Sequence, residues 1–293
     1  MTTSKVYENP VKPSGFKKYK RELAGETWVC GDVHADLSKL QAGLKRTLDR
    51  RKADARLSGT PVVQANVILL GDVGLGFPDD PLGERLLHKM SRLAGMFKAT
   101  LYLIRGNHDN PLIWRSETAT VGMSAQKHPN VYFLGDGLLK VNGDRYVVLG
   151  GGTSVDKAFR EENRDWWPGE GIGQDTCHLP YGAFSRGKGL TGILSHVGPR
   201  PPMVNPVLPS MFYDMQRAAD EEQALLRCIG DLEHPSKWYF GHYHGTHRFN
   251  TVFCDMFVYD EWSGDTVMAC KPSYVECDCM CLGIGDVYRI SNG

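Results

Sequence analysis

Short apolar runs alternate with longer amphipathic stretches through roughly the first third of the chain. Thr27-Trp-Val-Cys30 reads as a strand and stops at Gly31-Asp32-Val33-His34. Leu37, Leu40, Leu44 and Leu48 then recur at helical spacing. The other face of that helix carries Lys45, Arg46, Arg50, Arg51 and Lys52, which reads as a solvated face. A second apolar run, Asn66 to Leu70, stops at Gly71-Asp72, and a helix is predicted from about Leu82 to Phe97. A third, Leu101 to Ile104, stops at Arg105-Gly106-Asn107-His108-Asp109. Strand, helix, strand, helix, strand, with polar residues at the end of each strand, is the βαβ pattern, and ligands in such sheets gather at those ends.

The pattern then changes. Val131–Leu134, Leu138–Val141 and Arg145–Leu149 are short strands separated by Gly-Asp and Asn-Gly turns, which predicts a meander or hairpins. Residues 150–190 are rich in Gly, charged and aromatic residues and read as one long loop, of the kind that is usually functional or mobile. Gly192 to Ser195 forms a strand leading into His196, and Met211 to Ile229 forms a helix. Trp238-Tyr-Phe240 is a strand stopping at Gly241-His242-Tyr243-His244, and antiparallel strands follow to Val287–Ile290. Residues 1–25 are polar, with Lys17, Lys18 and Lys20, and read as an extended arm. The expected organisation is that N-terminal extension followed by a single domain, 26–293, carrying the loop at about 150–190.

Composition narrows the classes. The chain has 293 residues, 41% apolar and 23% charged, with 34 residues of each charge sign and a formal net charge of zero. Overall charge therefore argues for neither a nucleic-acid coat nor a membrane surface. No apolar run reaches the roughly 18 residues of a membrane span. Met1 to Leu23 lacks the apolar stretch of a signal peptide. Eight irregularly spaced Cys suit reduced thiols and a cytoplasmic location better than a disulfide framework.

Five strand ends supply potential metal ligands: Asp32 and His34, Asp72, Asn107, His196, and His242 with His244. In extended backbone alternate residues point the same way, so Asp-x-His and His-x-His are each expected to face one ion. Four imidazoles, two carboxylates and one amide oxygen make a mixed N/O set, which suits Mn²⁺, Fe, Zn²⁺, Co²⁺ or Ni²⁺. Seven ligands exceed the coordination of one ion. A bridging carboxylate between two ions roughly 3.5–4 Å apart resolves the count.

These blocks resemble the calcineurin-like metallophosphoesterase superfamily, whose pattern is Gly-Asp-x-His, Gly-Asp-x-x, Gly-Asn-His-Asp/Glu, a His after a strand, and Gly-His-x-His. All five occur here in order, between residues 31 and 244. The resemblance implies an α/β fold, a four-layer αββα sandwich of two mixed sheets flanked by helices, with a dinuclear site. It implies that Asp32, His34 and His244 hold one divalent ion, most simply Mn²⁺, and that Asn107, His196 and His242 hold the other. Asp72 bridges the two. It further implies hydrolysis of a phosphomonoester or phosphodiester by a metal-bridging hydroxide, with His108 as general acid and Asp109 orienting its imidazole.

Two alternatives remain beside this reading. A serine/threonine phosphoprotein phosphatase would carry Asp-Arg-Gly after the second block, where this chain has Gly71-Asp-Val-Gly-Leu-Gly76. A non-catalytic scaffold on the same fold would have lost ligands, and none is lost. The Gly-His-x-His ending looks more like nuclease, nucleotidase and phosphodiesterase branches. Gly150 to Lys157, with Arg160 and Trp166-Trp167-Pro168, looks like a stretch of uncharacterised bacterial and phage-type members.

Around the expected centre, Arg160, Lys157 and Arg200 are candidates to pair with a phosphate oxygen. Trp166 and Trp167 read either as stacking surfaces for a nucleotide base or as loop anchors. The partner expected is thus a phosphate ester, nucleotide and nucleic acid included. Arg105 is expected at the sheet edge, and His178 is given no role. Cys277, Cys279 and Cys281 alternate and share a strand face; with Cys270 they read as a thiolate cluster or as buried apolar residues.

Overall fold

The computed structural model describes residues 22–118, 128–172, 190–202, 213–254 and 274–290. Lys17, Lys18, Lys20, His178 and Cys270 lie outside the described residues, as do parts of the 150–190 loop and the first residues of the helix expected from Met211.

The chain runs β1 (Glu22–Leu23), β2 (Thr27–Cys30), α1 (Leu37–Ser58), β3 (Ala65–Leu69), α2 (Glu84–Met96), β4 (Ala99–Leu103), α3 (Pro111–Thr118) and β5 (Val131–Phe133). It continues β6 (Gly137–Val141), β7 (Asp144–Leu149), a short 3₁₀ turn (Lys157–Phe159), β8 (Leu190–Ser195), α4 (Tyr213–Glu233), β9 (Lys237–Phe240), β10 (His247–Cys254), β11 (Tyr274–Cys281) and β12 (Val287–Arg289). The strands form a five-stranded sheet, β12-β2-β3-β4-β5, and a seven-stranded sheet, β1-β6-β7-β8-β9-β11-β10. Both are mixed.

Period-two alternation builds the layers. On β2, Trp28 and Cys30 pack with Leu40 and Leu44 of α1 and with Leu87 and Met90 of α2. Val29, between them, points to the opposite side and joins Ile68, Leu70 and Tyr102 against Tyr146, Val148 and Leu194 of the second sheet. The outer face of the second sheet, with Val147, Trp238 and Phe240, buries Leu226 of α4. Helix, sheet, sheet, helix is the αββα sandwich. Cys277, Cys279 and Cys281 are fully buried in that outer layer, while Met280 and Leu282 face the inter-sheet core. The alternating cysteines are thus apolar filling of a sheet face.

Local signals set the elements. Asp36 caps α1, its Oδ1 accepting from Ser38 N at 3.0 Å and Lys39 N at 3.4 Å, and Gly59 ends the helix in the left-handed region at φ 69°. Asn142 and Gly143, at φ 52° and 92°, make the tight hairpin between β6 and β7 that an Asn-Gly pair favours.

Three expectations need correction. The segment 131–134 is not part of a meander with its successors: β5 pairs in parallel with β4, and only β6 and β7 form a hairpin. Of the C-terminal strands, β10 and β11 pair antiparallel as expected, but they are not one set: β11 also pairs in parallel with β9, and β12 lies antiparallel to β2 in the other sheet. Arg51 is not on a solvated face. It is buried, donates to the Val63 and Phe97 carbonyls and lies 3.5 Å from Glu26. A helix-face pattern cannot show that neighbouring loops bring carbonyls over one position of that face.

Candidate metal centre

The loops that follow β2, β3 and β4 of one sheet and β8 and β9 of the other converge at the strands' C-terminal ends. Hydrogen bonds from backbone N–H groups lash them together. Val33 N and His34 N both donate to Asp72 O, at 3.1 and 2.7 Å. Gly241 N donates to His196 O at 2.9 Å, and His108 N to Asp72 Oδ1 at 2.9 Å. Two glycines are sterically required. A Cβ on Gly106 would run into Asp72 N and Oδ1, and one on Gly241 into Asp32 Oδ1.

The expected ligand pairs do not sit on extended backbone. His34, Asp72, His242 and His244 have φ of 50°, 46°, 68° and 57°, a left-handed conformation held only where surrounding bonds over-determine it. Consequently His242 and His244 do not share a face. His244 turns to Asp32 and His34, whereas His242 turns to Asn107. The alternation argument fails for this pair because it applies to strands, and these residues are past the strand end.

The seven side chains fall into two groups. Asp32, His34, Asp72 and His244 place one ligand atom each within 4.8 Å of one another, a set that could hold a metal ion. His34 Nε2 and His244 Nε2 are 3.0 Å apart, and His244 Nε2 is 3.3 Å from Asp32 Oδ2. In the second group Asn107 Oδ1 lies 2.7 Å from His196 Nε2 and 3.2 Å from His242 Nδ1. Asp72 touches both groups. Its Oδ1 is 3.3 Å from His196 Nε2 and its Oδ2 is 3.6 Å from His34 Nε2.

The donor chemistry fits a cation. His196 Nδ1 faces the Leu70 carbonyl at 2.8 Å, which can only accept. Nδ1 therefore carries the ring proton, and in the neutral ring Nε2 presents a lone pair. That lone pair points at two further acceptors, Asn107 Oδ1 and Asp72 Oδ1. Asp72 Oδ2 is buried, and among the described residues it has no hydrogen-bond partner. Convergent acceptors with no proton between them are repulsive unless positive charge stands among them.

The electrostatics say the same. Burial, then the charges of Asp32 and Asp109, push the Asp72 carboxyl well above its ordinary range. Burial would also raise Asp32, but the adjacent His244 and His34 imidazoles outweigh it and hold that carboxyl well below the usual range. Burial, with His196 beside it, holds His242 down to about 3, in the neutral form that ligates metals.

His108 sits over Asp72, its Nε2 3.8 Å from Asp72 Oδ2 and 3.5 Å from Arg160 Nη2. Burial and then Arg160 lower its pKa to about 3. Arg160 is aimed by Asp156, which accepts from Nε at 2.8 Å and from Nη2 at 2.5 Å. Asp109 does not orient His108, contrary to expectation. Its oxygens accept from Val73 N, Gly74 N, Leu75 N and Gly106 N at 2.7–3.1 Å. It is buried, and no hydrogen bond joins it to the His108 ring among the described residues. Its work is to hold the turn after Asp72 against the turn that carries Asn107.

The other substrate candidates are placed differently. Trp167 is 3% exposed and packs edge-on against Phe77 at 5.7 Å, so it anchors its loop and offers no open face to a base. Lys157 is exposed, its Nζ 3.9 Å over the Trp166 ring. Arg200 lies 3.6 Å from Asp220 and lines a cavity of about 410 Å³ beside α4 and β10, whose lining includes none of the seven side chains. Arg105 is buried and donates to Glu170 O at 2.6 Å and Gly171 O at 3.3 Å. Reading the sequence missed Ser154 and Glu170. Ser154 Oγ accepts from Asn107 Nδ2 at 2.9 Å and donates to Glu170 Oε2 at 2.6 Å. Burial raises the Glu170 carboxyl, against the bonds from Ser154 that lower it. Nothing in local spacing marks that pair, since they meet Asn107 from a loop some 50 residues on.

Two mixed sheets in an αββα stack, with a metal-fitting N/O set at the meeting of their strand ends, define a metal-binding α/β sandwich. The chain belongs to the calcineurin-like phosphoesterase family, whose profile matches residues 26–246. No curated protein matches the sequence. A crystal structure aligns over 76% of this chain and 86% of its own at 14% identity, with a TM-score of 0.38. No described helix is long and apolar enough to cross a membrane.

Proposed function

We propose that the protein hydrolyses phosphate esters with two divalent ions, one held by Asp32, His34 and His244, the other by Asn107, His196 and His242, with Asp72 between them. The observation that carries this reading is the ring of acceptors around Asp72, in which an imidazole lone pair faces an amide oxygen and a carboxylate. Mn²⁺ is the first ion to test, because the set mixes imidazole nitrogen with hard oxygen. Bound there, such ions neutralise phosphate oxygens and acidify a water.

His108 and Arg160 act on the substrate. The Arg160 guanidinium, held by Asp156, pairs with a non-bridging phosphate oxygen. An anionic phosphate set against His108 raises the proton affinity of its imidazole. Substrate binding thus loads the proton that Nε2 delivers to the leaving oxygen. A nucleotide or a nucleic-acid end is among the candidate substrates, supported by the Arg160 guanidinium beside His108. A cytoplasmic setting is supported by the free buried thiols of Cys30, Cys277, Cys279 and Cys281.

The test is a paired assay with added Mn²⁺ on p-nitrophenyl phosphate and bis-p-nitrophenyl phosphate, with Asp72→Asn in parallel. Hydrolysis of either ester that disappears in Asp72→Asn supports the reading, and the preferred ester separates phosphodiesterase from phosphatase. Loss of turnover with both esters, in protein that binds Mn²⁺, would favour the scaffold reading.

A further inference from the structure

We propose that Glu170 is a positioning residue for the second metal site, acting through Ser154 to decide which end of the Asn107 amide faces the ion. The inference rests on the two-ion reading above and concerns a residue that reading does not use.

Asn107 offers two unlike ends. Its oxygen accepts and can ligate a cation, whereas its NH₂ donates and cannot. The two ends have nearly the same shape, so packing alone does not choose between them. Something must fix the polarity, and a chain of three bonds does so. Glu170 is buried, and both its oxygens are used: Oε1 accepts from Ser154 N at 2.8 Å and Oε2 from Ser154 Oγ at 2.6 Å. A carboxylate only accepts, so the Ser154 hydroxyl must spend its single proton on Glu170. Its oxygen is left to accept, and the donor it receives is Asn107 Nδ2 at 2.9 Å. The amide oxygen is thereby turned towards His196 and His242. Negative charge on Glu170 is relayed as bond direction to an atom it does not touch.

The relay is also anchored where it must be. The Glu170 carbonyl accepts from Arg105 Nη1 at 2.6 Å and from Gly152 N at 3.0 Å, and Gly151 N donates to Arg105 O at 2.7 Å. Arg105 is two residues before Asn107. The segment carrying the ligand and the carboxylate orienting it are therefore tied at both ends, which keeps the loop's position and the amide's polarity together. Among the described residues Ser154 and Glu170 meet no other ligand side chain, so the effect is confined to one of the two sites.

The test is calorimetric titration of the metal-free full chain with Mn²⁺, comparing wild type with Glu170→Gln, Ser154→Ala and Asn107→Ala. Glu170→Gln keeps the shape but can donate to Ser154, which frees the hydroxyl proton to point at Asn107. We expect two Mn²⁺ steps in wild type. One of them should weaken roughly 10–100-fold in Glu170→Gln and Ser154→Ala, as is usual for groups that orient a ligand. The weakened step should be the one that Asn107→Ala abolishes, with the other step unchanged. A merely structural role would lower the melting temperature and leave both affinities alone or shift them together, and that result overturns the proposal. Ser154→Ala keeps the test open if Glu170→Gln does not fold. Fewer than two Mn²⁺ in wild type would overturn the two-ion reading itself, a result distinct from two normal steps in Glu170→Gln.

Discussion

The two halves of the centre are built differently. The Asp32–His34–His244 half is open: His34 is 28% and His244 49% exposed, and their closest polar contacts are to each other and to the carboxylates. The Asn107–His196–His242 half is closed. His196 is fully buried with its back nitrogen bonded to Leu70 O, and Asn107 is 2% exposed with its back nitrogen bonded to Ser154. Ligands with an outer partner keep their orientation when the ion leaves, whereas ligands without one must be ordered by the ion. On the proposed two-ion reading, the closed half would retain its ion, and the open half, in which Asp32 alone is held from behind, by His242 N at 3.0 Å, would exchange its ion or admit the substrate beside it.

Asp72→Asn is the strongest way to break the comparison, because Asp72 is the side chain both halves share. It should weaken both Mn²⁺ steps and remove all measurable turnover, read by titration and by the ester assay. Survival of either step at wild-type affinity would show that the halves are independent. His108→Ala should come next, with turnover of an ester with a poor leaving group falling roughly 10²–10⁴-fold. Both Mn²⁺ steps should be retained, since the hydrogen bond His108 makes to Asp72 comes from its backbone N–H, which alanine keeps. Full activity on such an ester would remove its role as proton donor.

Asp109→Asn tests the scaffolding of the closed half. An amide places NH₂ among four backbone donors that the carboxylate now receives. Bonds to a charged acceptor are worth about 1.5–3 kcal/mol each. A net loss of about 3 kcal/mol should lower the melting temperature by roughly 6–12 °C. Unchanged melting would mean that the turn after Asp72 stands without it. The smallest effect sharpens the comparison without a mutation. Graded chelation should take the protein from two ions to one before none, and His244→Ala should remove the ion that leaves first. Loss of both ions in one step would contradict the open and closed distinction.

Much of the plan is legible along the chain. The three strands and two helices from Thr27 to Leu103 read directly from apolar runs and helical spacing. The seven candidate side chains stand out too, since each lies just past an apolar run. What did not read were the pairings. β5 left its apparent meander for the other sheet, because an apolar trio does not say which edge it will join. Of the two readings of Trp167 the loop anchor holds, buried against Phe77, whereas Asp109 looked like a partner of His108 and is spent on backbone.

By itself the sequence determined much of the inventory: the strands and helices from Thr27 to Leu103, that seven N- and O-bearing side chains follow strands, and that no phosphatase-type arginine follows Asp72. Only the tertiary structure decided how that inventory is divided. It sent His242 and His244 to opposite groups through left-handed backbone, and set Glu170 and Ser154 behind Asn107. The reason is physical. Composition and period are properties of neighbours along the chain. Bond direction is a property of neighbours in space, and here it passes between residues on separate loops that only folding brings within hydrogen-bond reach.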